Sequence, residues 1–142
     1  LIGENRVIVK LGLSQMPKTK WDGLRALVSE VKTFTSETIG FQIGPRINAA
    51  GRMDNPLWAI QTLLASGDDA FKKSQKLEEL NRERQLLSGN IYKEALAKVN
   101  LEDAIIIAEG QGWSSGIVGL IAGKIQEKAP KDTARAPADA EG

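Results

Sequence analysis

Gly44-Pro45-Arg46-Ile47-Asn48-Ala49-Ala50-Gly51-Arg52-Met53-Asp54 sets two arginines, an asparagine and two flexible glycines among small apolar residues. Core packing does not call for such a mixture. A guanidinium donates two parallel hydrogen bonds to an oxygen fork where lysine offers a point charge, and glycine lets backbone come close to a ligand. Arg46 and Arg52 are therefore candidates for gripping a phosphate, with Asn48 orienting them or touching the same ligand. The competing chemistry is internal. Either arginine can pair with Asp54 or with one of the glutamates, and Asn48 can cap a helix or fix a turn.

A second set lies in Gly110-Gln111-Gly112-Trp113-Ser114-Ser115-Gly116. The isoleucine-rich run 104–108 before it reads as a buried strand, and Ile117, Val118, Leu120, Ile121 and Ile125 after it read as an apolar helix. In a strand, glycine loop and helix, free backbone N–H groups and the positive end of the helix dipole face whatever sits in the loop. Gly112, Trp113, Ser114, Ser115 and Gly116 are thus candidate phosphate contacts. Ser114 or Ser115 can cap the helix or donate to the ligand, and Trp113 can stack a base or pack under the loop. Gly119 and Gly123 read as a bare strip for close packing against a sheet.

The sequence has no cysteine and no histidine. Disulfides, thiolate metal sites and cysteine nucleophiles are excluded, together with the commonest metal ligand and general base. No catalytic residue and no metal ligand is assigned. The net charge of +1, from 19 basic and 18 acidic residues, argues neither for nor against nucleic acid, because the two signs can still be segregated. With 142 residues and 42% hydrophobic content the chain can build a modest core.

Periodicity predicts that helices do most of the positioning. Helices are expected over 4–16 and 20–31, the second with Trp21 in the core and Thr19 as its cap. A short one is expected after Thr35-Ser36-Glu37-Thr38. Pro45 disfavours helix at Gly44, so Arg46 is expected to open a new element at a bend. Asp54-Asn55-Pro56 marks a further helix start, with Leu57, Trp58, Ile60, Leu63 and Leu64 as its apolar stripe. The longest helix is expected over 69–99, with charges alternating in sign as on a solvated face. The segment 129–142 has no large apolar residue and is expected to be disordered.

The motif 43–53 resembles the signature that follows the catalytic domain in the RecJ family, single-strand-specific exonucleases of the DHH phosphoesterase superfamily. Two flanking segments agree in order and spacing. Leu1-Ile2-Gly3-Glu4-Asn5-Arg6 is similar to the end of that catalytic domain, and Gly112-Trp113-Ser114-Ser115-Gly116-Ile117-Val118-Gly119 to the loop opening the family's DHHA1 domain. The resemblance implies an α/β fold: the helical end of a DHH-like region over 1–67, a long connecting helix over 68–100, and the start of a DHHA1-like domain over 101–128. It also implies degradation of single-stranded DNA from the 5′ end in repair and recombination. Two divalent ions, magnesium or manganese, would be held by residues not in this sequence. Arg46, Asn48 and Arg52 would then contact the strand backbone, with the 112–116 loop making a second contact across a cleft. Many members carry histidine or asparagine where this chain has Ser114, whose hydroxyl binds phosphate without a positive charge.

A helicase or single-strand-binding protein is the expected partner class. A cytoplasmic location is expected, since neither a signal peptide nor a run of about 20 apolar residues is visible. Three other readings stay open: a different DHH phosphoesterase acting on short oligonucleotides, a noncatalytic helical adaptor, and a dinucleotide-binding module. The last is weakened by a G-x-G-x-x-x-G spacing and by the lack of a following strand with an acidic residue.

Overall fold

The computed structural model describes residues 2–129, so nearly all of the segment expected to be disordered lies outside the described residues. The chain divides after Arg84 into two compact units. Among the described residues the regular structure is helical, with no strand.

In the first unit, α1 (Glu4–Gln15) runs into a 3-10 turn at Met16–Lys18, where Pro17 cannot continue the helical hydrogen bonding. No residue of α1 is buried, and Val7, Ile8 and Leu11 stand exposed. Helix α2 (Asp22–Leu27) is shorter than the expected 20–31. The Ser29 hydroxyl donates to the Ala26 carbonyl at 3.0 Å, offering the backbone an alternative to the next helical turn. Trp21, expected in the core, is 63% exposed: it is the residue preceding α2, outside the helical stripe. The Thr19 hydroxyl accepts from the Trp21 N–H instead of capping the helix itself.

The next helix begins with reciprocal bonds, the Thr38 N–H on Thr35 Oγ1 at 3.3 Å and the Thr35 N–H on Thr38 Oγ1 at 3.1 Å, the arrangement of a capping box. The predicted bend at Pro45 is absent. The turn over Thr38–Ile43 widens into a π-helix and leads without a break into α3 (Gly44–Met53), with Gly44 in the ordinary helical region. The physical reason is local. Proline lacks an N–H and its ring crowds the carbonyl four residues back. A π turn displaces that carbonyl, and the Gly44 N–H reaches Ile39 O instead.

Helix α4 (Leu57–Leu64) starts where Asn55 Oδ1 accepts the Leu57 N–H at 2.9 Å. Its expected apolar stripe is only partly used. Ala59 and Thr62 are buried, while Leu57, Ile60 and Leu64 are exposed. A small-residue face is required because α2 comes against α4 at backbone distance, a Cβ on Gly23 falling 1.9 Å from Thr62 O. The core joins Leu27, Ala49, Ala50, Ala59, Leu77 and Leu80, with Ile47, Met53, Trp58 and Leu63 packed on it.

Helix α5 (Gly67–Lys98) has 32 residues, about 48 Å at 1.5 Å per residue. Its first N–H is taken by Asp22 Oδ2 at 2.9 Å. The alternating charges pair along its face, Lys76 with Glu79 and Lys98 with Glu94, as a solvated helix requires.

The second unit holds the end of α5, a loop, and α6 (Ser115–Lys128). Ile91 and Ala95 are buried on α5, and Ile117, Ile121 and Ile125 on α6. The strand expected over 104–108 is not formed: these residues run without regular structure. A strand is stabilised by hydrogen bonds to a neighbouring strand, and no described segment supplies one. Ile105 and Ile107 point to solvent, and Ile106, Ile107, Trp113, Val118, Ile121 and Ile125 line an apolar groove of about 610 Å³.

Candidate nucleic-acid interface

The candidate residues fall in two places, Arg46, Asn48 and Arg52 on α3 in the first unit and the 112–116 loop in the second. On α3, helical spacing directs them differently. Ala49 and Ala50 are fully buried, which turns Asn48 outward to solvent and leaves Arg46 and Arg52 half-buried at the edges of the packed face.

Arg46 is held by the protein. Its Nε lies 2.6 Å from Glu78 Oε2 on α5, and its Nη1 donates to the Leu27 carbonyl at the end of α2 at 2.9 Å. Glu78 Oε2 is buried without a well-aligned hydrogen-bond donor despite the short approach, so charge rather than directed bonding holds this contact. The internal pairing open to this arginine in the sequence is thus realised, with Glu78 rather than Asp54 as partner. Arg46 ties three helices together at one point. Glu78 also carries Arg82 at 3.4 Å through its other oxygen.

Arg52 lies half-buried in the last turn of α3, and its charge is felt at Arg84 of α5, a residue that the sequence alone did not single out. Arg84 Nη2 donates to Oδ1 of the buried Asn81 at 2.6 Å. Burial first, and then the charge of Arg52, lower the pKa of Arg84 from its ordinary value. The signal for Arg84 was present in the charge pattern of α5, but alternating charges gave no means of telling it from its solvated neighbours.

In the second unit the loop is organised around Trp113. Its Nε1 donates to Glu94 Oε2 at 3.1 Å, and Lys98 Nζ stands 5.6 Å from the ring centroid, a cation–π distance. A Cβ on Gly110 would fall 2.0 Å from the indole, so only glycine lets the ring lie there. Of the two roles open to Trp113, packing in the loop is the one its contacts serve. Gly112 has φ +77°, the left-handed region that a side chain disfavours. Ser114 occupies the N-cap position of α6, but its side chain makes no capping bond, and Ser115 is exposed. The hydroxyl at the helix mouth is therefore not used to close the helix.

Glu94 is held below the ordinary carboxylate range, first by the hydrogen bond from Lys98 and then by that from Trp113. Among the described residues no group of three or more acidic, histidine or cysteine side chains is placed to hold a metal ion. The described residues therefore do not fit a divalent centre. No described helix is long and apolar enough to cross a membrane.

No family model matches the chain. Among curated proteins it is 32% identical over 135 residues to the single-stranded-DNA-specific exonuclease RecJ of Bacillus subtilis, covering 88% of this chain and 17% of that protein. It is 35% identical over 133 residues to the RecJ of Thermus thermophilus, covering 89% of this chain and 19% of that protein. A crystal structure of the Thermus thermophilus RecJ in complex with Mn2+ superposes with a TM-score of 0.84 at 32% identity, over 89% of this chain and 20% of that one. A crystal structure of exonuclease RecJ bound to manganese gives a TM-score of 0.79 at 32% identity, over 89% and 34% of the two chains. The chain thus spans about a fifth of the length of the curated relatives it matches. Sequence and helical architecture agree over nearly the same share of residues, and over that share the chain belongs to the RecJ family.

Proposed function

We propose that this chain is the strand-holding part of a RecJ-like exonuclease, which degrades single-stranded DNA from the 5′ end by metal-dependent phosphodiester hydrolysis in repair and recombination. The observation that carries the reading is the joint match of sequence and fold across 88–89% of the chain, including the 43–53 and 112–119 motifs. In this reading the chain does not cut. It positions the backbone, because phosphate contacts fix a strand without reading its sequence.

In the first unit, Arg52 contacts the strand phosphates and the exposed Asn48 touches the backbone alongside. Arg46 is a positioning residue, holding α3 against α5 through Glu78. In the second unit, Gly112, Ser114, Ser115 and Gly116 form a separate backbone contact at the mouth of α6, with Trp113 shaping the loop. Magnesium or manganese, which the whole protein requires in this reading, is held by residues other than those described. The 104–108 segment becomes a strand of a DHHA1-like α/β domain when further strands pair with it and cover the apolar groove. The role in DNA repair is a cytoplasmic one, and a helicase or single-strand-binding protein is the expected partner class.

The test is binding of a 5′-phosphorylated single-stranded oligonucleotide at a series of salt concentrations. Log affinity is expected to fall linearly with log salt, and Arg52→Ala is expected to lower the slope by roughly 0.7, the value for one phosphate on a single strand. Absence of salt-dependent binding by the parent chain would remove the strand-holding reading. A noncatalytic adaptor predicts that outcome.

A further inference from the structure

The segment 99–114 joins α5 to α6 without helix or strand, so its backbone has to be held by something other than a ladder. Among the described residues, 104–113 make no backbone–backbone hydrogen bond. Two hydrogen bonds to side chains of α5 hold this stretch instead. Lys98 Nζ donates to the Glu109 carbonyl at 3.1 Å, and Trp113 Nε1 donates to Glu94 Oε2 at 3.1 Å. The two holders are themselves joined, Lys98 Nζ donating to Glu94 Oε1 at 2.7 Å. An ion pair one turn apart at the end of α5 thus grips the loop on both sides of 110–112.

An ion pair between two half-exposed side chains adds little as a surface feature. Here each partner does something that a solvated pair does not. Glu94 divides its two oxygens between Lys98 and the indole, and Lys98 stands 5.6 Å from the ring centroid while it holds the carbonyl. Fixing Trp113 fixes its neighbours in the chain. Gly112, at φ +77°, precedes it, and Ser114 follows at the N-cap position of α6, its hydroxyl unused for capping. Both belong to the second-unit strand contact of the proposed function. A carboxylate beside such a contact has the wrong sign, because it repels the phosphates that the loop is to receive. What Glu94 holds accounts for its place there, and Lys98 offsets its charge.

We propose that the Glu94–Lys98 pair is a clamp that sets the position of the 112–116 loop, with Glu94 acting through Trp113 as a positioning residue. That the clamped loop receives a DNA strand rests on the proposed function. The clamp itself does not.

Two measurements on the 142-residue chain separate these levels. The first needs no ligand. Backbone 15N relaxation is measured over 104–116 in the parent chain, in Glu94→Ala and in Trp113→Phe, which keeps a ring and the net charge but loses the Nε1 donor. Order parameters near the rigid value of about 0.85 are expected in the parent. They are expected to fall below about 0.6 over 109–113 in both variants, while α5 and α6 keep theirs. A parent loop that is already mobile, or a loop as ordered in either variant as in the parent, overturns the clamp. If Glu94→Ala does not fold, Trp113→Phe decides alone.

In the second, a single-stranded 12-mer of deoxythymidine is bound at several salt concentrations. Removing a carboxylate makes the chain more positive, so charge alone predicts tighter binding by Glu94→Ala. Positioning predicts the opposite sign. Affinity is expected to weaken about tenfold and the salt slope to fall by roughly 0.7, the loss of one charge-assisted phosphate contact. Trp113→Phe is expected to match that loss, and the double variant to bind no more weakly than either single one, since both break the same link. Binding unchanged or tighter in Glu94→Ala, or losses that add in the double variant, overturns the positioning role and leaves the strand reading standing. A loop loosened in both variants with no oligonucleotide binding by the parent chain supports the clamp and removes the strand reading.

Discussion

At the scale of single residues, Arg46 is built into the fold although the sequence presents it as a ligand candidate like Arg52. Arg46 meets Glu78 at 2.6 Å and the Leu27 carbonyl at 2.9 Å, so it acts on the fold. Glu78→Gln keeps the shape but leaves a half-buried guanidinium without its counter-charge. The expected loss is about 1–3 kcal/mol of stability, between the small value of an exposed pair and the larger one of a buried pair, and urea denaturation measures it. Glu94 yields a prediction in pH. Its folded carboxyl is held below the ordinary range by Lys98 and then Trp113, so its stabilising contribution is complete above the ordinary carboxylate pKa. The contribution is lost as pH falls through the depressed value. The indole Nε1–H resonance of Trp113 is therefore expected to titrate at a pH below that of an ordinary glutamate, and to show no such step in Glu94→Gln.

At the scale of elements, α2 crosses α4 at backbone distance. A Cβ on Gly23 would lie 1.9 Å from Thr62 O and 2.8 Å from Thr62 C, and neither is a side chain that could swing aside. Gly23→Ala must push the two helices apart and is expected to cost about 3 kcal/mol, at the upper end for overpacking, read from the shift of the urea midpoint. Gly89→Ala is the control. It meets nothing within 4 Å and lies inside α5, so it is expected to stabilise the chain by about 0.5–1 kcal/mol. These elements were unequally legible in the sequence. The long helix, the helix after Pro56 and the apolar helix after the glycine loop follow from periodicity and end signals, and the structure has them within a few residues. The passage through Pro45 was not legible, because a π turn is a response to the chain on both sides of the proline and has no residue signature of its own. Trp21 and the outward side of α4 were misread for a related reason. Periodicity counts apolar residues but does not tell which of them a close helix crossing leaves outside. In the candidate site, Arg46, Asn48 and Arg52 were legible as residue types. What marks Arg46 as an anchor is its pair of contacts with Leu27 and Glu78, 19 and 32 residues away, which no local pattern reveals.

At the scale of the whole molecule, solved RecJ structures that this chain resembles hold manganese, yet the described residues gather no set of donors for a metal. It has no histidine and no cysteine, and among the described residues its carboxylates are not gathered in threes. Several of them are instead engaged along or beside α5, Asp69 with Lys73, Glu79 with Lys76, Glu78 with Arg46 and Arg82, and Glu94 with Lys98. A divalent ion would have to collect its oxygens from scattered side chains, whereas magnesium demands near-octahedral geometry and manganese favours similar oxygen sets. Binding and cutting should accordingly separate in this chain. Strand binding through guanidiniums is expected to be unchanged by EDTA, while no cleavage of a 5′-phosphorylated oligonucleotide is expected with magnesium or manganese. Both are read on one purified sample, by fluorescence anisotropy and by gel resolution of the products. Cleavage that copurifies with the chain and stops on chelation would place metal ligands within these 142 residues and undo the division of labour proposed for them. Loss of binding on chelation without any cleavage would instead show that the ion organises the strand site, and the guanidinium account of that site would fail.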